Sequence, residues 1–211
     1  MSNEAVQLQR ERALEAALRL FSEQGLEAIS VRAVASELQL SPMALYRYFP
    51  GGKREVLTAV RGSGFESLAK RFEDCIAGLA DPIDQLLALT VALVRFALEQ
   101  PARYRLMFDF TEPAEGEAYI ASRRARAWRY PADALARAIA GGTLQGDPAV
   151  LPHLVFAGVH GALVFELSAQ PHVLRRANRL LAPLLELLLR GAGADEVVLR
   201  KVRRRLARER L

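Results

Sequence analysis

Apolar residues recur along this chain at the three-to-four-residue spacing of helices, and no stretch alternates in twos as a half-buried strand would. The pattern predicts an all-α protein. Residues 4 to 24 place Ala13, Ala17, Leu20 and Phe21 on one face, and Gly25 stops that helix. Ser30 is a good N-cap, because its hydroxyl can accept an orphan backbone N–H of the first turn. Val31, Val34, Ala35 and Leu38 then follow at helical spacing. Ser41 caps again, and Pro42 takes the first helical position, where its missing N–H costs nothing. Leu45 and Phe49 give this second short helix a buried side, while Tyr46, Arg47 and Tyr48 fall on other faces. Only Gln39 to Ser41 separate the two, the connection length of a helix-turn-helix. The geometry of such a unit puts the second helix, residues 42 to 48, in the major groove of DNA.

Beyond this segment the pattern stays helical and becomes more apolar. A fourth helix should run from Gly52 to about Leu79, with a kink at Gly62-Ser63-Gly64. Asp81 and Pro82 open the next, which carries Leu86, Leu87, Leu89, Val91, Val94 and Phe96 and must end before Pro101. A short helix from Pro101 to Phe108 leads into an acidic loop around Thr111 to Glu117. The helix at 118 to 140 is rich in arginine (Arg123, Arg124, Arg126, Arg129) and bent at Pro131. Two long apolar helices, at about 149–169 and 172–190, are separated by Gln170-Pro171. Both show hydrophobic residues on more than one face, as helices do when they are central or paired with another subunit. In the tail, residues 195–211, Val198, Val202 and Leu206 share a face and Arg or Lys fill the rest. Three readings are open there: a docked, solvent-facing helix, a phosphate-binding arm, or a contact with an anionic membrane.

The 211 residues suffice for one large helical unit or two coupled domains, and 51% of them are hydrophobic, enough for a sizeable core. There is no apolar run of the ~18 residues that a membrane span needs, and MSNEAVQLQRER does not resemble a secretory signal. Cys75 is the only cysteine, which excludes an internal disulfide and suits a reducing cytoplasm. On an apolar helix face it reads as a core thiol rather than a redox sensor. The net charge of +5 is unevenly spread. Residues 1–62 hold 8 Lys/Arg against 7 Asp/Glu, residues 63–189 hold 13 against 14, and residues 190–211 hold 8 against 3. Bulk charge therefore does not mark the N-terminal segment as a nucleic-acid binder. Its cations must be concentrated on one face, as Arg32, Arg47, Lys53 and Arg54 would be. The histidines, His153, His160 and His172, have no metal-type spacing, and Glu115 and Glu117 read as solvated loop acids. No catalytic constellation emerges, so neither an enzyme nor a cofactor is expected.

The run LSPMALYRYFP (residues 40–50), with ALEAALRLFSEQGLEAISVRAVA upstream (Ala13 to Ala35), resembles the DNA-binding domain of TetR/AcrR-family transcriptional regulators, a likeness covering roughly residues 8 to 60. Two departures stand out. Gln39 occupies a turn position where the family usually has Gly, and a left-handed residue there costs Gln about 1 kcal/mol relative to Gly. The loop Pro50-Gly51-Gly52-Lys53 is one residue longer than usual. Further on, PARYRLMF (Pro101 to Phe108) and VHGALVFEL (Val159 to Leu167) resemble the ligand domain of a subgroup marked by Trp-His-Gly, with Val159 in place of the Trp.

The resemblance implies residues 1–51 as the helix-turn-helix domain, a connecting fourth helix at 52–79, and residues 80–211 as a ligand-binding and dimerisation bundle. It implies a homodimer through the helices at 149–169 and 172–190 and a palindromic operator of double-stranded DNA. It also implies repression relieved by a small-molecule effector. Ser30, Tyr46 and Lys53 match the family's phosphate-holding positions; Ser41, Pro42, Met43, Ala44 and Tyr48 complete the candidate DNA surface with Arg32 and Arg47. Because Pro42, Met43 and Ala44 have no hydrogen-bonding side chains, thymine methyl groups are their natural partners, leaving guanine edges to Arg32 or Arg47. For Arg47 a phosphate clamp is the equal alternative. Phe96, Tyr104, Met107, Phe108, Trp128, Phe156, His160 and Phe165 are candidates to line an apolar effector pocket. His160 would orient the ligand there, or serve as a core histidine beside Gly161. The competing function is an interaction protein that keeps the helix-turn-helix as a scaffold without selective DNA binding.

Overall fold

The computed structural model describes residues 3–108, 116–167 and 177–209, and among them it contains ten α-helices and no strand. They are α1 (Asn3–Gln24), α2 (Val31–Glu37), α3 (Pro42–Tyr46), α4 (Gly52–Ile76), α5 (Pro82–Glu99), α6 (Pro101–Met107), α7 (Glu117–Ala140), α8 (Leu151–Leu167), α9 (Ala177–Gly191) and α10 (Glu196–Arg208). A single 3-10 turn, Leu26–Ala28, joins α1 to α2. Gln170, Pro171 and His172, with residues 111–115 of the expected acidic loop, lie outside the described residues. The chain forms two compact units, Met1–Ser67 with Gln100–Ala125, and Leu68–Glu99 with Arg126–Leu211.

The first unit is built on a small-residue face of α1. Ala13, Ala16 and Ala17 are fully buried, and their size lets Val34, Ala35, Leu45 and Phe49 come in close. Leu106 of α6 completes this core, and Arg103 of the same helix pairs with Glu15 of α1. The expected block of residues 80–211 is therefore interrupted: α6 and the start of α7 belong with the helix-turn-helix, because Leu106 is buried there. The segment where a kink in α4 was expected, Gly62-Ser63-Gly64, lies within one continuous helix, and its glycines are points of close approach. A Cβ on Gly62 would overlap the Tyr119 ring, and one on Gly64 would lie 2.6 Å from Met107 Sδ.

The turn after α2 closes as the sequence implied. Gln39 has φ 56°, the left-handed region. The Leu40 N–H donates to the Ala35 carbonyl at 2.9 Å and the Gln39 N–H to Ser36 at 3.0 Å, the pair of bonds that ends a helix on a left-handed residue.

In the second unit α5 is buried from Ile83 to Ala97 on most of its surface. The apolar helices α8 and α9 correspond to the expected helices at 149–169 and 172–190, α8 starting at Leu151 and α9 ending at Gly191. The tail takes the first of its three readings. Val198, Leu199, Val202 and Leu206 of α10 are buried, Lys201 pairs with Asp84 at 2.8 Å and Asp81 at 3.1 Å, and Arg203 pairs with Glu186 at 2.9 Å. Cys75, near the end of α4, is half-buried and donates to the Phe72 carbonyl at 3.3 Å. Burial pushes its thiol up to about 11.

Two measurements follow from these local environments. Gln39→Gly should raise the unfolding free energy by about 0.5–1 kcal/mol, because glycine accepts the left-handed turn but loses more entropy on folding. A higher urea midpoint at unchanged slope would show it, and a lower midpoint would refute the strain. At pH 8 the Cys75 thiolate population should be about a hundredfold below that of an ordinary thiol. Iodoacetamide should therefore label the native protein far more slowly than the urea-unfolded chain; equal rates would contradict the raised pKa.

Candidate nucleic-acid interface

The two short helices are held by their own caps. Ala33 N–H donates to Ser30 Oγ at 3.1 Å and Ala44 N–H donates to Ser41 Oγ at 3.1 Å. Each serine thus fixes a helix start, while its own O–H remains a donor suited to a phosphate oxygen. The helix α3 is shorter than the expected 42–48: Arg47 is its C-cap, and Tyr48 follows in the turn before Pro50. A residue ahead of proline is driven out of the helical region, which accounts for the early end.

Helix α3 buries Leu45 and turns the rest outward. Met43 is 75% exposed and Tyr46 45%; Pro42, Arg47, Ser41 and Arg32 are exposed as well, and Ala44 and Tyr48 are half-buried. Lys53, half-buried at the start of α4, lies 3.8 Å from the exposed carboxylate of Glu27.

Charge pairing resolves the near-neutral balance of this region. Glu55 pairs with Arg10 at 3.3 Å, Glu37 with Arg19 at 3.6 Å, and Glu66 with Arg123 at 2.8 Å. Glu15 is taken by Arg103. Neither Arg32 nor Arg47 has an acidic partner among the described residues. Two guanidinium groups, one on α2 and one at the end of α3, are thus left exposed. Arg10, which the sequence pattern did not single out, joins α1 to the end of the helix-turn-helix. Its partners, Tyr48 and Glu55, lie 38 and 45 positions away, so no local pattern points to it.

The eight candidates for an effector pocket divide between the two units. In the first, Tyr104 and Met107 are fully buried and Tyr104 lies against Phe108 with ring centroids 4.9 Å apart. In the second, Phe96 is fully buried beneath the guanidinium of Arg71. Trp128 stacks on His153 at 4.8 Å and meets Phe156 edge-on at 5.3 Å, and Phe156 stacks on His160 at 5.4 Å. Burial lowers the His160 pKa from its ordinary value, which favours a neutral imidazole. Phe165, by contrast, is 73% exposed on α8. A separate small cleft in the second unit is lined by Val94, Val159, Leu163, Leu181 and Glu166, with Ala162 and Leu180, and none of the eight candidates lines it. Among the described residues no group of three His, Cys, Asp or Glu side chains is placed to hold a metal ion, and no helix is long and apolar enough to cross a membrane.

A capped helix-turn-helix with an exposed second helix, joined to a second all-helical unit, defines the class of helical DNA-binding regulators. Comparison makes this specific. Residues 13–60 match the family of bacterial regulatory proteins named for TetR. Residues 86–200 match the tetracyclin repressor-like C-terminal domain. The chain belongs to the TetR family of transcriptional regulators, which are DNA-binding proteins and not enzymes. It is similar to the transcriptional repressor KstR of Mycolicibacterium smegmatis, 38% identical over 79 residues, 37% of this chain and 38% of that protein. To KstR of Mycobacterium tuberculosis it is 36% identical over 87 residues, 41% and 39% of the two chains. These matches span about two fifths of each relative. The TetR-family regulator PfmR of Thermus thermophilus superimposes with a TM-score of 0.70 at 27% identity, over 85% of this chain and 97% of that one.

Proposed function

We propose that this protein is a homodimeric, cytoplasmic repressor that occupies a palindromic operator and leaves it when a small, largely apolar effector binds. The observation that carries the reading is the exposed row Arg32, Pro42, Met43, Tyr46 and Arg47 on two helices whose starts are capped by Ser30 and Ser41. Ser30, Tyr46 and Lys53 hold phosphates and set register. Met43, with Pro42 and Ala44 beside it, reads thymine methyl groups, and Arg32 or Arg47 reads guanine.

Dimerisation is supported by the surface of the last long helices. Leu154 is 54% exposed, Phe165 73% and Leu187 69%, and Val150 and Val164 are exposed with them. Along α8, Leu154, Val164 and Phe165 share one stripe with Ala157 and Gly161 between them, Val150 extends it just before the helix, and Leu187 stands on α9. A stripe of large apolar side chains of this kind is unfavourable in water and marks a protein partner. A two-fold dimer through α8 and α9 covers it and presents two copies of α3 to two half-sites. The effector enters among the aromatic side chains of the helical bundle. It acts by favouring the dimer conformation in which the two α3 copies no longer match the operator spacing, a shift limited by its differential affinity for the two states.

Fluorescence anisotropy with DNA from upstream of the gene tests the reading, using a salt series and scrambled competitor. Selective binding that weakens steeply with salt is expected; equal, weak binding to both duplexes would favour the scaffold alternative. Met43→Ala should reduce the protein's discrimination between thymine and uracil at contacted positions, and full retention of that discrimination would rule out the methyl contact. Phe165→Glu with Leu154→Glu should shift the protein to monomer by light scattering and weaken operator binding by ~100-fold or more, since a second half-site is lost. A double variant that remains dimeric would rule out this face as the interface.

A further inference from the structure

Five-residue α3 is too short to hold itself in place, since an isolated turn of helix is unfavourable in water. Its start is fixed by Ser41 and its inner side by Leu45 and Phe49. The remaining degree of freedom is the angle at which the chain leaves it, and one side chain addresses that exit directly. Arg10, on α1, donates through Nη1 to the carbonyl of Tyr48, just beyond the C-cap. Both Nη atoms lie 3.3 Å from Glu55 Oε1 on α4, and the guanidinium sits over the Phe49 ring, 4.3 Å from its centroid. Glu55 completes the bracket, since its Oε2 accepts the N–H of Gly51 at 2.9 Å. Both partners are only about a third exposed, at 32% and 30%. The turn between α3 and α4 is thus tied to α1 by one planar cation and to α4 by one carboxylate.

We propose that Arg10 is a positioning residue for DNA recognition: it sets the pitch of α3 against α1 and α4 and so determines sequence selectivity without touching the nucleic acid. This rests on the reading of α3 as the helix that contacts bases. A planar guanidinium suits the task because it serves the carbonyl, the carboxylate and the aromatic face together, where an ammonium serves fewer at once. A bracket that acts on geometry makes a different forecast from a phosphate contact. Loss of a phosphate contact weakens binding to every sequence and lowers the salt slope by about one. Loss of the bracket weakens binding to the preferred sequence alone.

The probe is a duplex selected by the wild-type full-length protein from a randomised pool, compared with a scrambled duplex across a salt series. Arg10→Met is expected to weaken binding to the selected duplex by about tenfold, the size of effect a displaced base contact produces. Scrambled-duplex binding and the salt slope should remain at wild-type values. Arg10→Lys should recover part of the loss, and Glu55→Gln, which keeps an acceptor for Gly51, should reproduce part of it. Unchanged selectivity in Arg10→Met overturns the proposal. So does an equal loss on both duplexes with a slope reduced by about one. If Arg10→Met lowers the melting temperature too far to assay, wild-type selectivity in both Arg10→Lys and Glu55→Gln overturns it. A wild-type protein that selects no sequence overturns the DNA reading itself, an outcome distinct from the variant results.

Discussion

The first unit depends on how closely its second and third helices can approach α1. Three fully buried alanines, Ala13, Ala16 and Ala17, form that contact. With larger residues there, Leu45 of α3 and Phe49 just beyond it would be pushed outward, and α3 would lose its buried side chain. A helix of five residues has no independent stability. Its existence is therefore a tertiary fact: the Ser41 cap, buried Leu45, the buried Phe49 that follows and a bracket from α1 hold a backbone segment that would otherwise be a turn. The bracket comes from α1 and α4, and it leaves Met43 and Arg47 exposed.

Electrostatics is organised by pairing rather than by net charge. The first unit is nearly neutral in composition, and four of its acids, Glu15, Glu37, Glu55 and Glu66, lie next to Arg103, Arg19, Arg10 and Arg123. Most of these exposed pairs add little to stability. Arg32 and Arg47, by contrast, stand exposed without acidic partners among the described residues. The same logic governs the tail. Its excess of cations looked available for an anionic surface, but Lys201 and Arg203 are engaged with Asp81, Asp84 and Glu186. The basic α10 is in large part a docking helix.

Much of the architecture was legible because it is encoded locally. Ser30, Ser41 and Pro42 mark helix starts whatever the surroundings, and the periodicity of Val31, Val34, Ala35 and Leu38 names a buried face. The left-handed Gln39 could be anticipated because helix termination has its own stereochemistry. The glycines at 62 and 64 show the complementary case. Glycine in a helical pattern signals either interruption or close approach, and only the neighbours Tyr119 and Met107 distinguish the two. Likewise Pro101 to Phe108 read as part of the C-terminal block, since nothing in its spacing reveals that Leu106 is buried beneath α1.

The sequence by itself determined the all-α class, the helix-turn-helix, its caps and the residues α3 turns outward, because each depends on neighbours within four or five positions. Tertiary structure alone decided the rest. It determined which unit α6 joins, which acids cancel which arginines, that Phe165 stands exposed while Phe96 is buried, and that Arg10 reaches Tyr48 and Glu55. Each of these depends on contacts between segments tens of residues apart, and the side chains involved follow no periodicity along the chain. The physical reason is that a helical repeat specifies which face is buried but carries no information about which partner covers it.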